Sequence, residues 1–350
     1  MFEKLLAAES SWEQLKNSSL PVAVYGTGNG ADRVFAEFER LGIAPSAVIA
    51  SDGFVRNREF HGFRVKSVSQ LENELGDFTV AVAFAGGIPE VVSGVRALAG
   101  RHRVIMPSVP VWGDSIFNKD FLKAHSAELE AAYSLLADGQ SRAVFESIVD
   151  FQITGDLSVI ASCESEADEA FELLDLGADE SFLDLGAYRG DTVQDFLGRV
   201  KKYKKITAVE PNEKTFKKLK TACASLKNCC LVNKAVWFED CTLSFNGEAG
   251  RGGSIGGDTP IEAVCIDSLA SQFGDFTYIK CDCEGAEREA LAGGAGLISR
   301  KKPKLCIAAY HRSEDIFALA NQIHSLNGEY KIYLRHHPHL TLWDTNLYCI

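Results

Sequence analysis

Long apolar runs are missing from this 350-residue chain. None approaches the roughly 20 residues a bilayer requires, so neither a transmembrane span nor a membrane partner is expected. The first sixteen residues carry Glu3, Glu9 and Glu13 and lack the basic-then-apolar order of a secretory signal. Positive charge is also short. Lys and Arg number 36 against 48 Asp and Glu, and a net charge of −12 argues against a binder of phosphate backbones, so no nucleic-acid partner is expected. Among the ten cysteines there is no CxxC pair and no Cys/His spacing of the zinc type. They read as reduced, mostly buried thiols of a cytoplasmic protein. No Pro- or Gly-rich tether divides the chain, so its domains are expected to pack rather than hinge freely. What remains is a folded composition, 46% hydrophobic and 24% charged, in a chain long enough for two domains.

Residues 1–112 read as a small Rossmann-like domain. Leu20–Tyr25 is a valine-rich run followed by Gly26-Thr27-Gly28-Asn29-Gly30, an amphipathic stretch Asp32–Leu41 and a second run Ala47–Ala50 ending near Asp52. Thr79–Ala85 and Arg103–Met106 add strands separated by helical segments, the alternation of a parallel sheet. Residues 113–175 read as a mostly helical connector, with helical spacing over Phe121–Leu136 and Gln140–Phe151 before a strand-like run, Leu157–Ala161. Residues 176–350 repeat the α/β rhythm. The expected strands are Ser181–Leu185, Lys205–Val209, Cys230–Val236, Thr277–Asp282 and Lys304–Ala309, closed by a pair, Tyr330–His336 and Asn346–Ile350.

The turn after Ser181–Leu185 is the first candidate site. Asp184-Leu185-Gly186-Ala187-Tyr188-Arg189-Gly190-Asp191-Thr192 ends a strand and opens a helix, and its glycines permit a tight turn and close approach of a ligand. Twenty residues past Gly190, Glu210 stands at the next strand tip in Ala208-Val209-Glu210-Pro211-Asn212, placed to hold ribose hydroxyls. A dinucleotide puts its pyrophosphate on the helix N-terminus. Here Asp184 and Asp191 flank the loop and Tyr188 fills it, which repels phosphate and suits a ligand with an ammonium and a sulfonium. S-adenosylmethionine is such a ligand.

Residues from about 175 to 350 resemble the FkbM family of S-adenosylmethionine-dependent methyltransferases. The likeness runs through FLDLGAYRGDT (182–192), AVEPN (208–212), NKAVW (233–237), CIDSL (265–269), IKCDCEGAE (279–287), PKLCIAAYH (303–311) and YKIYLRHH (330–337). It implies a class I methyltransferase sheet, mostly parallel with an antiparallel terminal strand, behind the smaller N-terminal domain. It implies that Asp184 and Gly186 line the methionine end of the cofactor, that Glu210 takes the ribose and that Ala235 and Val236 flank the adenine. Ala187, Tyr188, Gly190, Thr192, Pro211, Asn212 and Asp282 complete the expected cofactor contacts; the family often has Asn at the place of Tyr188.

Chemistry is expected at the tip of the fourth strand, in Asp282-Cys283-Glu284-Gly285-Ala286-Glu287. On a continuing strand Asp282 and Glu284 share a face, and His311, after the next strand, emerges on the same edge. Methyl transfer from a sulfonium needs positioning and, for a hydroxyl acceptor, removal of one proton. His311 or Asp282 is the expected base, with Glu284 orienting the acceptor. No metal-ligand spacing is fixed, so no metal is expected, although an Asp/Glu/His cluster of this kind is one that a divalent ion can use. Gly247–Gly257, just before an expected strand ending at Asp267, reads as a flexible surface loop or as a flap that carries Arg251 and Ser254 toward the acceptor, and His336 is a third substrate candidate.

The expected activity is O-methylation of a small molecule or a sugar or glycan precursor. In the first domain Gly26–Gly30, with Asp52 about 22 residues beyond, resembles a dinucleotide fingerprint without matching GxGxxG. That leaves an NAD(P)-dependent oxidoreductase, or a cofactor binder without turnover, as alternatives. Neither the acceptor nor the oligomeric state is legible in the sequence.

Overall fold

A computed structural model describes residues 2–55, 58–246, 254–255 and 259–350. The chain divides into two compact units, one of Met1–Glu130, Arg142–Glu164 and His336–Asp344, the other of Ala131–Ser141, Ser165–Arg335 and Thr345–Ile350. The helical stretch 113–175 is thus shared between them and forms no body of its own.

In the first unit, β1 (Val22–Tyr25), β2 (Ala47–Ala50), β3 (Lys66–Ser67), β4 (Thr79–Val82) and β5 (Arg103–Ile105) form a sheet of order β3-β2-β1-β4-β5. All its pairings are parallel. β1, β2 and β4 are buried along their whole length, which is why they read as unbroken apolar runs. The helix α1 (Asn29–Leu41) turns Ala31, Val34 and Phe38 into that core and ends on left-handed Gly42.

The five apolar residues Leu157–Ala161, expected as a strand, are a helix capped by Asp156, whose carboxylate accepts from the Ser158 amide. A short apolar run does not by itself choose between the two forms. The cap decides it.

The second unit is built on seven strands: β6 (Ser181–Leu185), β7 (Lys205–Val209), β8 (Cys229–Val232), β9 (Tyr278–Cys281), β10 (Lys304–Ala308), β11 (Ile332–His336) and β12 (Thr345–Cys349). Their order is β8-β7-β6-β9-β10-β12-β11, and β12 runs antiparallel to β10. This is the doubly wound sheet with a reversed terminal strand that the sequence order predicts. The expected strand Cys230–Val236 is instead two pieces. It breaks at Asn233, whose side chain donates to the carbonyls of Glu210 and Pro211, and Ala235–Val236 joins a separate four-stranded sheet with 241–246, 254–255 and 259–264. Asp267 does not end a strand either. It lies in the first turn of the helix Ile266–Phe273 and accepts from the amides of Gly296 and Leu297.

Phe182, Phe196 and Tyr278 stack at the centre of this unit's core, with Val193, Ile206 and Leu219 around them. At the end of β11, Arg335 is 2% exposed and holds Asp138 at 2.7 Å, Glu169 at 3.0 Å and the Ser141 hydroxyl at 2.8 Å. Burial opposes the Asp138 charge, yet Arg335 and Ser141 hold its carboxyl down at about 2. Arg335→Met strands two carboxylates that are about a third exposed and recover some hydration. The expected loss in a urea melt is therefore roughly 2–4 kcal/mol, at the lower end of what breaking a buried pair costs. An unchanged midpoint would show that the pair adds nothing.

Candidate active site

The site lies at the C-terminal edge of the parallel strands, where a doubly wound sheet leaves its crevice. β6 delivers Gly186 at φ +80°, a left-handed position open to glycine. A Cβ there would sit 1.9 Å from the Asp282 carbonyl oxygen, so the loop after β6 rests directly on the chain leaving β9. The amides of Gly186 and Ala187 both donate to the Val209 carbonyl. Gly190, at φ +87°, then opens α2 (Asp191–Arg199), with Thr192 in its first turn.

Glu210 ties this loop to the tip of β7. One carboxylate oxygen accepts from the Tyr188 amide at 3.0 Å and the other from the Asn212 amide at 2.8 Å. Burial raises this carboxyl to about 7, against the pull of those two amides. Tyr188 itself sits at φ +46°, a conformation that Asn tolerates best among residues with a side chain, which explains why Asn is at home there. Asn212 caps the helix Glu213–Ala222 with its side chain, and Pro211 leads into it. The Ala187 side chain is in the core, so only its backbone faces the loop. Ala235 and Val236 are buried in the small sheet.

Beneath the loop, Asp184 is wholly buried, and neither carboxylate oxygen has a hydrogen-bond partner among the described residues. Burial lifts it to about 7. The Lys280 ammonium, on the neighbouring strand, works against that rise, whereas Asp191 and Asp282 add to it. Lys280 in turn stays charged despite burial, held by Asp282 and Asp184.

Beyond β9 the chain does not continue as a strand. Glu284 at φ +51° and Gly285 at φ +97° turn it into the helix Glu287–Gly293, so Asp282 and Glu284 do not share a strand face. They meet nonetheless at His311. Its Nε2 lies 3.5 Å from Asp282 Oδ1 and 3.6 Å from Glu284 Oε2, and its Nδ1 is 3.1 Å from Glu287 Oε1. Tyr310 Oη donates to Asp282 Oδ1 at 3.2 Å, and Lys280 Nζ is 3.3 Å from Oδ2.

Burial alone would make His311 a weaker base, but Glu287, Asp282 and Glu284 outweigh it and raise the imidazole to about 10. The expectation left His311 or Asp282 as the base, and the carboxylates around the imidazole favour its protonated form, which favours Asp282 of the two. Burial opposes the Asp282 charge, and Lys280 and His311 bring the carboxyl below its ordinary value.

Sequence reasoning missed Glu287, Asp315, Lys280 and Asn233. Glu287 belongs to the cluster, and Asp282, Glu287 and His311 offer ligand atoms all within 4.8 Å of one another, the metal-type set that spacing had not suggested. Arg251 lies outside the described residues, as does the side chain of Ser254. His336 is fully buried beside His337, His339 and Arg96 in the first unit, and burial and those neighbours lower it to about 3. In the first unit, the Gly26–Gly30 loop packs on the end of β4, where a Cβ on Gly30 would meet the Ala83 carbonyl oxygen at 2.5 Å. Asp52 binds the Ser69 hydroxyl at 2.6 Å.

Strand order, the glycine turn after the first strand and the acid at the tip of the second define a class I methyltransferase fold. Residues 184–337 match the family model described as the methyltransferase FkbM domain, so the second unit carries such a domain. The chain is similar over 99% of its length to the crystal structure of methyltransferase FkbM from Methylobacillus flagellatus KT, of which it covers 92%. The TM-score is 0.71 at 20% identity, a likeness of fold. A partial likeness is to precorrin-6y C5,15-methyltransferase from Geobacter metallireducens GS-15 (TM-score 0.34, 10% identical, 52% of this chain and 84% of that one). Another is to Aeropyrum pernix fibrillarin in complex with natively bound S-adenosyl-L-methionine (TM-score 0.33, 13% identical, 52% and 73%). At those scores neither supports an inference about this chain. No curated protein matches the chain. Among the described residues no helix is long and apolar enough to cross a membrane.

Proposed function

We propose that this domain transfers a methyl group from S-adenosylmethionine to a hydroxyl oxygen of a small molecule or of a sugar or glycan precursor. One observation carries the reading: the glycine loop and the acid–histidine cluster meet at a single point, the Asp282 carbonyl lying where a side chain on Gly186 would stand. A ligand seated on the loop therefore ends beside Asp282.

The residues fit this cofactor. Asp184, Asp191, Glu210 and Asp282 surround the loop with carboxylates, answered by Lys280, so a cationic ligand is favoured over a pyrophosphate. Glu210, fixed by two backbone amides, keeps lone pairs for ribose hydroxyls. When bound, the cofactor supplies an electrophilic methyl group on a sulfonium. The chain's part is positioning and proton control. Asp282 Oδ1, in reach of Tyr310 Oη and His311 Nε2, receives the acceptor's proton. Glu284, on the exposed side of the cluster, orients the acceptor.

Calorimetric titration with S-adenosylhomocysteine tests the reading, with NAD+ and NADPH as separate titrants. Binding that Glu210→Ala weakens at least tenfold, with the variant's melting temperature followed alongside, is the expected result. Dinucleotide binding alone, lost in a Gly28 variant, would move the chemistry to the first unit.

A further inference from the structure

Three carboxylates converge on His311, Asp282 and Glu284 at its Nε2 and Glu287 at its Nδ1. Lys280 is 3.3 Å from Asp282 Oδ2. Arg312 donates through Nε to the Gly285 carbonyl, and its Nη2 lies 3.6 Å from Glu289.

Two carboxylate oxygens at this point have no hydrogen-bond partner among the described residues, Glu287 Oε2 and Asp315 Oδ1, and both residues are 1% exposed. Buried acceptors of this kind are rare and costly to leave unmatched. Their opposite oxygens are already engaged. Glu287 Oε1 accepts from the Cys283 amide at 2.7 Å, and Asp315 Oδ2 from the Arg312 amide at 2.7 Å. The backbone thus fixes both carboxylates and leaves one oxygen of each over.

We infer that Asp282, Glu287 and His311 form a binding site for one divalent cation of the Mg2+ or Mn2+ class, which takes the place of the imidazole's proton and releases it to solvent. Their ligand atoms lie within 4.8 Å of one another and come from three stretches of chain, the end of β9, the start of the following helix and the turn after β10. Ligands 2.0–2.2 Å from a metal are separated by roughly 3–4 Å, so closure asks for a small side-chain movement. Two carboxylates with one imidazole suit a hard or borderline cation, and they lack the thiolates that would favour a softer one. Glu284, 3.6 Å from Nε2 and more exposed, stands at the rim as a further oxygen donor. A cation here lies beside the carboxylate placed to deprotonate the acceptor, so its role would be to bind the acceptor hydroxyl and make its proton easier to remove. This inference rests on the methyl-transfer reading for its purpose but not for its measurement.

Full-length protein stripped with EDTA is titrated with Mn2+ and followed by electron paramagnetic resonance. S-adenosylhomocysteine binding is measured on the same sample. The expected result is one Mn2+ per chain, displaced by Mg2+, with affinity at least tenfold weaker in Glu287→Gln and in His311→Gln. Glu287→Gln retains an oxygen for the Cys283 amide, and melting curves identify any variant that fails to fold. Absence of Mn2+ binding, or binding that both folded variants leave unchanged, overturns the site. If S-adenosylhomocysteine still binds in that case, the cofactor reading survives alone. If Mn2+ binds while S-adenosylhomocysteine does not, the site stands and the cofactor reading fails.

Discussion

Gly186→Ala is expected to lower the stability of the protein by roughly 2–6 kcal/mol, a large share of the roughly 5–15 kcal/mol an ordinary domain possesses. Two costs combine. At φ +80° a residue with a Cβ is strained by about 1–3 kcal/mol. The new Cβ would also meet the Asp282 carbonyl oxygen at 1.9 Å and its carbon at 2.9 Å. Both are backbone atoms and cannot rotate aside, so relief requires β6 and the chain after β9 to separate, an overpacking cost of about 1–3 kcal/mol more. Such a shift would displace Asp282 from His311, so any folded fraction should bind S-adenosylhomocysteine poorly. Gly28→Ala serves as the control. Nothing lies within 4 Å of its Cβ position, and the expected loss is about 1 kcal/mol, the ordinary cost of alanine at a helix N-cap. Urea melts of the two variants separate these outcomes, and equal midpoints would show that the close contact at Gly186 costs nothing.

That contact marks the limit of what the sequence showed. Ser181–Leu185 and Lys205–Val209 were legible to the residue because fully buried parallel strands are written as apolar runs, and the glycine turn and Glu210 follow from their spacing. The break at Asn233 was not legible, because its cause is a side chain reaching back to two carbonyls of a different loop. The expected pairing of Asp282 with Glu284 gave the right neighbours for the wrong reason. A left-handed turn brings both to His311, not a shared strand face. Glu287 is 24 residues from His311 in sequence and joins it because β9 and β10 are adjacent and parallel, so the segments that leave the two strands emerge side by side. Its signal is the sixth residue of Asp-Cys-Glu-Gly-Ala-Glu, to which the stretch alone gives no role. The choice between His311 and Asp282 as the base was not legible for a related reason. The character of His311 is set by several carboxylates that no short window contains.

Asp184 offers the sharpest electrostatic prediction. Its carboxyl is carried from an ordinary 3.8 to about 7, first by burial and then by Asp191 and Asp282, with Lys280 resisting. Below the unfolded value both states are protonated and the group costs nothing. As pH rises, the unfolded chain releases its proton while the folded one keeps it, so stability falls until the folded carboxyl ionises near 7. Between pH 5 and 8 this single group should cost the ligand-free protein roughly 2–3 kcal/mol. Asp184→Asn removes that slope, so the difference between wild-type and variant stabilities should change by that amount across the range. A difference that stays flat would mean that Asp184 is ionised throughout. The same carboxyl links stability to the proposed cofactor. A sulfonium and an ammonium over the loop favour the ionised form, so binding of S-adenosylmethionine at pH 6.5 should release protons, and S-adenosylhomocysteine, without the sulfonium charge, should release fewer. Titrations in buffers of different ionisation enthalpy measure that release directly. In Asp184→Asn the release should shrink, and the preference for S-adenosylmethionine over S-adenosylhomocysteine should shrink with it. The carboxyl that makes the ligand-free chain costly to fold would then be the one that selects a cation.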